Sequence, residues 1–353
     1  MPENNYIELY KKYRPRTWDE VIGQDTVVES IRHAVINKEV PTAYLLSGPA
    51  GTGKTTIAKI LAKSVNCDHL DENGNPCNQC STCKSIDNES QMGVKYISMA
   101  NNGSADDVRR LIDSSRLALP IKKQVLILDE VQNLSPAAQD ALLIGLESDH
   151  QKSLFIFCTT DPQKIKPAVL SRLQQRNLTQ VDERTLAKHL VNISKKEGLY
   201  PDNPISKEDI IQAVINSDGS VRNAISNLET LASRGKLPTI YVNQVIDKIL
   251  TGNPVEVYSV IEEMSKEAQD FVRNTEQLYK QFSLMFQARM GVSFNNTNLV
   301  ESANKMSLNY INIALELIGD TLMAMSYKNV DNLILFQMLL FKLSTLYKKD
   351  INK

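Results

Sequence analysis

The stretch 45–56 constrains this chain more than any other, because a short apolar strand, a glycine-rich turn and a helix start follow one another there. Its centre, Gly48-x4-Gly53-Lys54-Thr55, has the spacing of a P-loop. Glycines let successive backbone N–H groups point at a polyphosphate, the lysine adds positive charge, and the threonine adds an oxygen for magnesium. A chance glycine turn would not explain the flanking strand and helix. We therefore expect a nucleotide to be bound by Gly48, Ala50, Gly51, Thr52, Gly53, Lys54, Thr55 and Thr56.

A second apolar strand, at residues 125–128, ends in the two carboxylates Asp129 and Glu130, which is the Walker B arrangement. In-line attack on a γ-phosphoryl group needs charge neutralisation and a positioned water. We expect Asp129, with Thr55, to hold Mg²⁺, and Glu130 to polarise the attacking water. The alternative is a strand that simply ends in an acidic turn.

Four of the five cysteines crowd into one polar, turn-rich stretch with the spacing Cys67-x9-Cys77-x2-Cys80-x2-Cys83. Four thiolates with two such short spacings match a closed tetrahedral Zn²⁺ site, which leaves no position for water. We expect this zinc to be structural. Four incidental buried cysteines are the alternative, whereas Cys158, alone in an apolar strand, is interpreted as a small core residue.

The amino-acid composition does not identify the binding partners of the chain. The 353 residues are 42% hydrophobic and 23% charged, which is typical of a globular chain of two or three domains. With 40 basic and 41 acidic residues, the chain is not uniformly basic, although one basic face remains compatible with this balance. The N-terminus lacks the pattern of a signal peptide, so we expect a cytoplasmic protein.

The aromatic and basic lead-in at residues 9–24, taken with the P-loop, resembles the opening of the clamp-loader ATPases of bacterial DNA polymerase III, the gamma/tau family of the AAA+ superfamily. The cysteine module after the P-loop helix is a mark of the same family. The resemblance implies an α/β AAA+ fold, with a parallel sheet flanked by helices, a zinc-binding insertion, a helical lid and an all-α collar. It also places the lead-in against the adenine through Tyr13, Arg14, Pro15, Val21 and Ile22. The alternative is that Tyr13 and Trp18 only pack the lead-in onto the domain.

The resemblance assigns three further catalytic roles. Thr159 or Thr160, of which we favour Thr160, would hydrogen-bond near the γ-phosphate. Arg172 would reach the ATP site of the neighbouring subunit, with a local salt bridge as the alternative. Arg222, at a helix start in the lid, would return to the nucleotide, with a helix-surface arginine as the alternative.

The resemblance also nominates Arg109, Arg110 and Arg116 as contacts to DNA phosphates. Simple pairing on the helix surface, for example of Arg109 with Asp106 or Asp113, is the alternative.

Three domains are expected: 1–178, the nucleotide-binding domain with the zinc module 67–83; 179–250, the lid; and 251–353, a collar that joins subunits in a ring of five. The end at Lys353 is expected to correspond to the shorter, gamma-like form. Whether the ring contains one or several kinds of subunit is left open.

Some positions depart from the family pattern. Leu173 stands where a cysteine is usual, residues 147–151 replace Glu-Glu-Pro-Pro, and Gln132 and Asn133 are also unusual. These changes leave the expected chemistry intact and are typical of a divergent lineage, such as a phage-encoded clamp loader.

The resemblance therefore implies an ATPase that, with ATP, Mg²⁺ and Zn²⁺ and with other clamp-loader subunits, opens a sliding clamp and loads it on primer-template DNA. The competing classes are another AAA+ DNA-remodelling ATPase, for branch migration or helicase loading, and a structural ring subunit. The cysteine module argues against the first, and the intact Lys54, Thr55, Asp129 and Glu130 argue against the second.

Overall fold

A computed structural model describes residues 7–116, 119–147, 153–199, 205–234, 241–266, 270–292, 297–327 and 330–351. The chain forms two compact units, 1–237 and 238–353. Each is described by itself.

The first unit contains a parallel sheet of five strands in the order β2-β3-β4-β1-β5. The strands are β1 Ala43–Ser47, β2 Val94–Ser98, β3 Gln124–Asp129, β4 Ser153–Thr159 and β5 Gln174–Asn177. The three central strands are buried almost throughout, because helices cover both faces of the sheet. This confirms the predicted α/β architecture.

In the described part of the first unit, ten α-helices surround or follow the sheet. They are α1 Leu9–Lys12, α2 Asp25–Ile36, α3 Lys54–Asn66, α4 Ser81–Asp87, α5 Ala105–Ser115, α6 Pro136–Glu147, α7 Pro167–Leu170, α8 Glu183–Lys196, α9 Lys207–Ile215 and α10 Val221–Arg234. Alternate residues of β1 enter two different cores, Tyr44 and Leu46 on one face of the sheet and Ala43 and Leu45 on the other. Cys158 is fully buried in the first of these cores, as the sequence predicts.

The carboxyl ends of the central strands meet at one edge of the sheet. Ser47 pairs with Thr159, and Leu128 pairs with Phe157, so the residues that follow these strands lie close together. In open parallel sheets, ligands usually bind at this edge, beyond the carboxyl ends of the strands.

The helices α8, α9 and α10 form a small apolar core of their own, which Leu9 of α1 joins. Polar residues begin two of them, since Asp182 and Ser206 accept the N–H groups of Thr185 and Asp209. The N-terminal lead-in therefore packs, through α1, against the helical region that the sequence predicts as the lid.

Every regular element in the described part of the second unit is a helix. Its helices are α11 Val242–Ile249, α12 Pro254–Lys266, α13 Phe271–Arg289, α14 Thr297–Asn304, α15 Leu308–Met325 and α16 Asn332–Ile351. The stripe of α13 formed by Thr275, Leu278, Phe282 and Met285 is buried in its core. Helix α11, which the sequence places at the end of the lid, packs in this core through Val245 and Ile249. In the described parts of both units, we find no helix with the length and apolarity to cross a membrane.

Candidate nucleotide site

The P-loop lies between β1 and α3. Its three glycines have φ angles of +142° at Gly48, +75° at Gly51 and +106° at Gly53, a region that side chains with a Cβ rarely occupy. Gly51 also lies against the start of α10, where an added Cβ would stand 2.0 Å from the Ser220 Oγ. Glycine is therefore required both for the curl of the loop and for its contact with α10.

Lys54 is the buried cation of the loop, with 8% of its surface exposed. Its Nζ donates to the carbonyl oxygens of Gly48 at 2.7 Å and Pro49 at 2.8 Å. Burial lowers the pKa of the ammonium group, because the charged form is the one that loses hydration. The Lys54 ammonium group is thus held inside the P-loop, where it would contact a bound phosphate.

Asp129 is held by three donors. Its Oδ2 accepts the Thr55 hydroxyl at 2.9 Å and the Tyr96 hydroxyl at 2.6 Å, and its Oδ1 accepts the Glu130 N–H at 2.9 Å. Glu130 itself has a left-handed backbone, with φ +58°, and an exposed side chain. A non-glycine residue in this conformation is uncommon and often occurs at functional sites. The two carboxylates therefore diverge, one held beside Thr55 and one free to face a ligand.

These residues border a cavity of about 380 Å³. Of the residues predicted to contact the nucleotide or its magnesium ion within one subunit, all except Gly48 line it: Tyr13, Arg14, Pro15, Val21, Ile22, Ala50, Gly51, Thr52, Gly53, Lys54, Thr55, Thr56, Asp129, Glu130, Thr160 and Arg222. Gly48 instead forms the turn beneath, with its carbonyl on Lys54. The same cavity is therefore lined by residues of the lead-in, the P-loop, the ends of β3 and β4, and α10.

Arg14, Lys54 and Arg222 are among the basic side chains that line the cavity. The pKa of the half-buried Arg14 is lowered, first by burial and then by repulsion from Arg222. The guanidinium of Arg222 lies 6.0 Å from the centre of the Tyr10 ring. Mutual repulsion in a partly dry space favours an anionic ligand, and a polyphosphate carries the charge to satisfy it.

The lead-in bridges the P-loop helix and the helices α8 and α10. Arg14 donates from Nε to the Thr56 Oγ1 at 3.2 Å. The Tyr13 hydroxyl donates to Glu197 after α8, and the Leu9 N–H donates to the Glu229 Oε1 of α10 at 3.0 Å. Burial, together with the Glu197 carboxylate, raises the pKa of Tyr13 to about 12, so the phenol stays protonated. Tyr13 thus both lines the cavity and packs the lead-in, which were the two alternatives from sequence.

The two candidate threonines after β4 differ in position. Thr159 is buried and donates its hydroxyl to the Gln132 Oε1 at 2.9 Å. Thr160 is exposed and lines the cavity. The unusual Gln132 therefore accepts the hydroxyl of Thr159, and Thr160 is the one of the two threonines that lines the cavity.

Arg172 lies outside the cavity of its own chain. Its guanidinium forms an ion pair with Glu147 and donates to the Ala168 carbonyl at 2.8 Å. The side chain still exposes 37% of its surface. The next residue, Leu173, is buried in the core between the sheet and α6, so this departure from the family pattern fills the interior.

The three arginines nominated for DNA are exposed and belong to α5 or its end. Each has an acidic partner three residues earlier: Arg109 with Asp106 at 2.8 Å, Arg110 with Asp107 at 2.6 Å, and Arg116 with Asp113 at 3.5 Å. Helix-surface pairing therefore occurs, although such exposed pairs contribute only about 0–1 kcal/mol.

The four clustered cysteines lie together. All four Sγ atoms are within 4.8 Å of one another, whereas sulfurs around a tetrahedral ion with bonds of about 2.3 Å stand about 3.8 Å apart. The N–H groups of Gln79 and Cys80 donate to the Cys77 Sγ and lower the pKa of Cys77 to about 6. The set fits a metal ion.

The cysteine module also supports the lead-in. The Trp18 indole N–H donates to the Gly74 carbonyl at 3.0 Å, and its backbone N–H donates to the Asn75 Oδ1 at 2.9 Å. The Asn78 Nδ2 donates to the Arg16 carbonyl at 3.3 Å. These contacts hold the lead-in at residues 16–18. Arg16 itself lines the cavity, so the cysteine module supports part of the cavity wall.

Sequence reasoning missed several residues at the site. Tyr10, Lys59, Lys63 and Asp87 line the cavity, and Tyr96 binds Asp129. Apart from Tyr10, which lies in the lead-in, none belongs to a motif. The only available signal was the placement of Tyr96 in a strand two residues before its carboxyl end.

Residues 23–182 match the family model described as DNA polymerase III, delta subunit. Over 283 residues the chain is 32% identical to DNA polymerase III subunit tau of Bacillus subtilis, an alignment that covers 75% of this chain and 49% of that protein. Over 234 residues it is 36% identical to DNA polymerase III subunit gamma of Buchnera aphidicola, covering 66% of this chain and 62% of that protein.

A solved structure of the Bacillus subtilis DNA clamp loader delta protein aligns with a TM-score of 0.41 at 13% identity, covering 90% of this chain and 99% of that one. The chain spans about half the length of the first curated relatives it matches. The sequence identities, with the P-loop and the cysteine cluster assembled as described, make this chain a relative of the gamma and tau subunits of DNA polymerase III.

Proposed function

We propose that this chain is an ATP-hydrolysing subunit of a sliding-clamp loader, which uses ATP binding and hydrolysis to open the clamp and place it on primer-template DNA. The observation that supports this most is the complete set of Lys54, Thr55, Asp129 and Glu130 around one cavity in a relative of the gamma and tau subunits. Its partners would be other clamp-loader subunits, the clamp and DNA.

The roles follow from the positions. Backbone N–H groups of the P-loop and Lys54 would hold the phosphates, and Thr55 and Asp129 would hold the magnesium ion, which supplies charge neutralisation. Glu130 would polarise the attacking water, with Thr160 near the γ-phosphate. Arg222, at the start of α10, would report phosphate occupancy to the lid, while the lead-in would cover the base.

Arg172 would act in trans. It cannot serve its own site, because it lies outside that cavity and pairs with Glu147. An arginine delivered by a neighbour would couple hydrolysis to assembly, since a lone subunit lacks part of the charge stabilisation.

The remaining assignments belong to the same proposal. The cysteine cluster would bind structural Zn²⁺, Arg109, Arg110 and Arg116 would exchange their aspartate partners for DNA phosphates, and the helices beyond residue 250 would join subunits in a ring. The lid would comprise residues 179–250, although α11 packs with the second unit.

Zinc removal is expected to weaken nucleotide binding about tenfold, because losing the module's fold releases two or more hydrogen bonds that hold the lead-in at the cavity. Cys80→Ser should reproduce the effect, and Cys158→Ala, which removes a cysteine outside the cluster, should retain both zinc and affinity. Metal content and nucleotide titration check this. Unchanged affinity in zinc-free protein would show that the module does not support the site.

ATP hydrolysis separates the competing functions. In an assembly with sister subunits, we expect turnover to rise strongly only when clamp and primed DNA are both present. Stimulation by DNA alone would indicate a DNA remodeller. Absence of turnover in every combination would leave a structural ring subunit.

A further inference from the structure

Tyr96 lies in β2, and its side chain reaches across to the end of β3. Its hydroxyl donates to the Asp129 Oδ2 at 2.6 Å, a bond between two strands that are neighbours in the sheet. The same oxygen accepts the Thr55 hydroxyl at 2.9 Å. One carboxylate oxygen therefore joins the P-loop helix to β2.

The phenol is well placed to remain a donor. Its ring lies beneath the Lys59 ammonium, whose Nζ is 5.4 Å from the ring centre and pairs with Glu89 at 2.6 Å. A tyrosine hydroxyl, with an ordinary pKa of about 10, keeps its proton at neutral pH and can donate it to a carboxylate. The ring is fixed by one contact and the hydroxyl by another.

The Asp129 carboxylate consequently has little rotational freedom. Tyr96 and Thr55 hold Oδ2, and the Glu130 N–H holds Oδ1 at 2.9 Å. A hydrated magnesium ion demands near-ideal octahedral geometry and is bound through few carboxylates, so the orientation of a single carboxylate affects its affinity. Groups that hydrogen-bond metal-binding carboxylates commonly tune metal affinity in this way.

We propose that Tyr96 is a positioning residue that holds Asp129 in the orientation required for the magnesium ion of the bound nucleotide. This rests on the proposed nucleotide site and adds a residue that no motif contains. Tyr96 would act through Asp129 and would not touch the reacting atoms.

Tyr96→Phe tests this, because it deletes the hydroxyl and keeps the ring under Lys59. The matched control is Tyr279→Phe in the second unit, since Tyr279 and Tyr96 both expose 41% of their surface. Each full chain is titrated with MgCl₂ at constant ADP, and separately with ADP in magnesium-free buffer. No chelator is added, so the cysteine cluster is undisturbed. Tyr96→Phe is expected to raise the half-saturating magnesium concentration about tenfold, the effect of losing one hydrogen bond to a charged group, with the magnesium-free ADP affinity unchanged.

The outcomes separate the two proposals. Equal magnesium dependence in Tyr96→Phe, Tyr279→Phe and the parent chain would overturn the role of Tyr96 alone. Equal loss of ADP affinity with and without magnesium would overturn it as well, because the hydroxyl would then act on the nucleotide pocket in general. No ADP binding by the parent chain, with or without magnesium, would overturn the proposed function itself.

Discussion

Glu130→Gln is expected to lower ATP turnover in the assembled loader by about 10²- to 10⁴-fold, the usual contribution of a positioned proton acceptor. ATP binding should persist, because the phosphate cradle and Asp129 are unchanged. Glutamine keeps the length and shape of the side chain, and the backbone of residue 130 can still donate its N–H to the Asp129 Oδ1. Steady-state hydrolysis and nucleotide titration of the same preparation measure the two quantities.

Glu29→Gln provides the control for this change, since Glu29 is an exposed acid on α2 that does not line the cavity. It should hydrolyse ATP at the parent rate. Turnover that survives Glu130→Gln would assign the attacking water to another group, and a matching loss of ATP affinity would show that the side chain mainly supports binding.

Arg172→Ala is expected to lower hydrolysis in the assembly by about 10³-fold or more, the usual effect of removing an arginine finger, wherever the neighbouring site depends on it. Nucleotide affinity of the isolated chain should be nearly unchanged, because Arg172 does not line its own cavity. Turnover of the assembly, compared with ATP affinity of the separate subunit, measures the difference.

Glu147→Gln distinguishes a trans role from a local one. It weakens the ion pair between Glu147 and Arg172 and leaves the guanidinium in place. If Arg172 acts on a neighbour, Glu147→Gln should retain hydrolysis, and the loss of an exposed pair should cost at most about 1 kcal/mol of stability. Equal defects in the two variants would indicate that the pair itself matters, and loss of nucleotide binding in isolated Arg172→Ala would exclude the finger role.

The P-loop and the strand that ends in Asp129 were predictable because local sequence determines them. Glycines at 48, 51 and 53 permit a loop that other residues resist, and an apolar run followed by carboxylates gives a buried strand with a polar end. Parallel pairing of β1, β3 and β4 then brings these ends to one edge, so the sequence also predicts that the motifs meet.

The contacts made across the fold were not predictable from sequence. Tyr96 reads as one residue of an ordinary strand, and only the adjacency of β2 and β3 places its hydroxyl on Asp129. Likewise, the bond of Thr159 to Gln132 explains an unusual residue, but it depends on how the turn after β3 lies against the end of β4. Contacts of this kind between two residues depend on how the elements pack, and packing leaves no periodic pattern in the sequence.

The cysteine module was predictable from sequence only in part. Its spacing predicts the four-sulfur cluster, and the Sγ atoms do converge. Its second role, holding Trp18 and the segment around Arg16, depends on the Gly74 carbonyl and on the side chains of Asn75 and Asn78. Carbonyl groups occur at every residue and asparagines are common in turns, so the sequence does not show which of these groups contact the lead-in.

The most direct test of the proposed clamp-loading function is the ATPase rate of the assembled loader. It is measured without additions, with clamp, with primed DNA and with both, and a Glu130→Gln assembly gives the background. We expect turnover to rise above the Glu130→Gln background most when clamp and primed DNA are present together. Full stimulation by DNA without clamp, or no turnover above the background in any combination, would contradict this function.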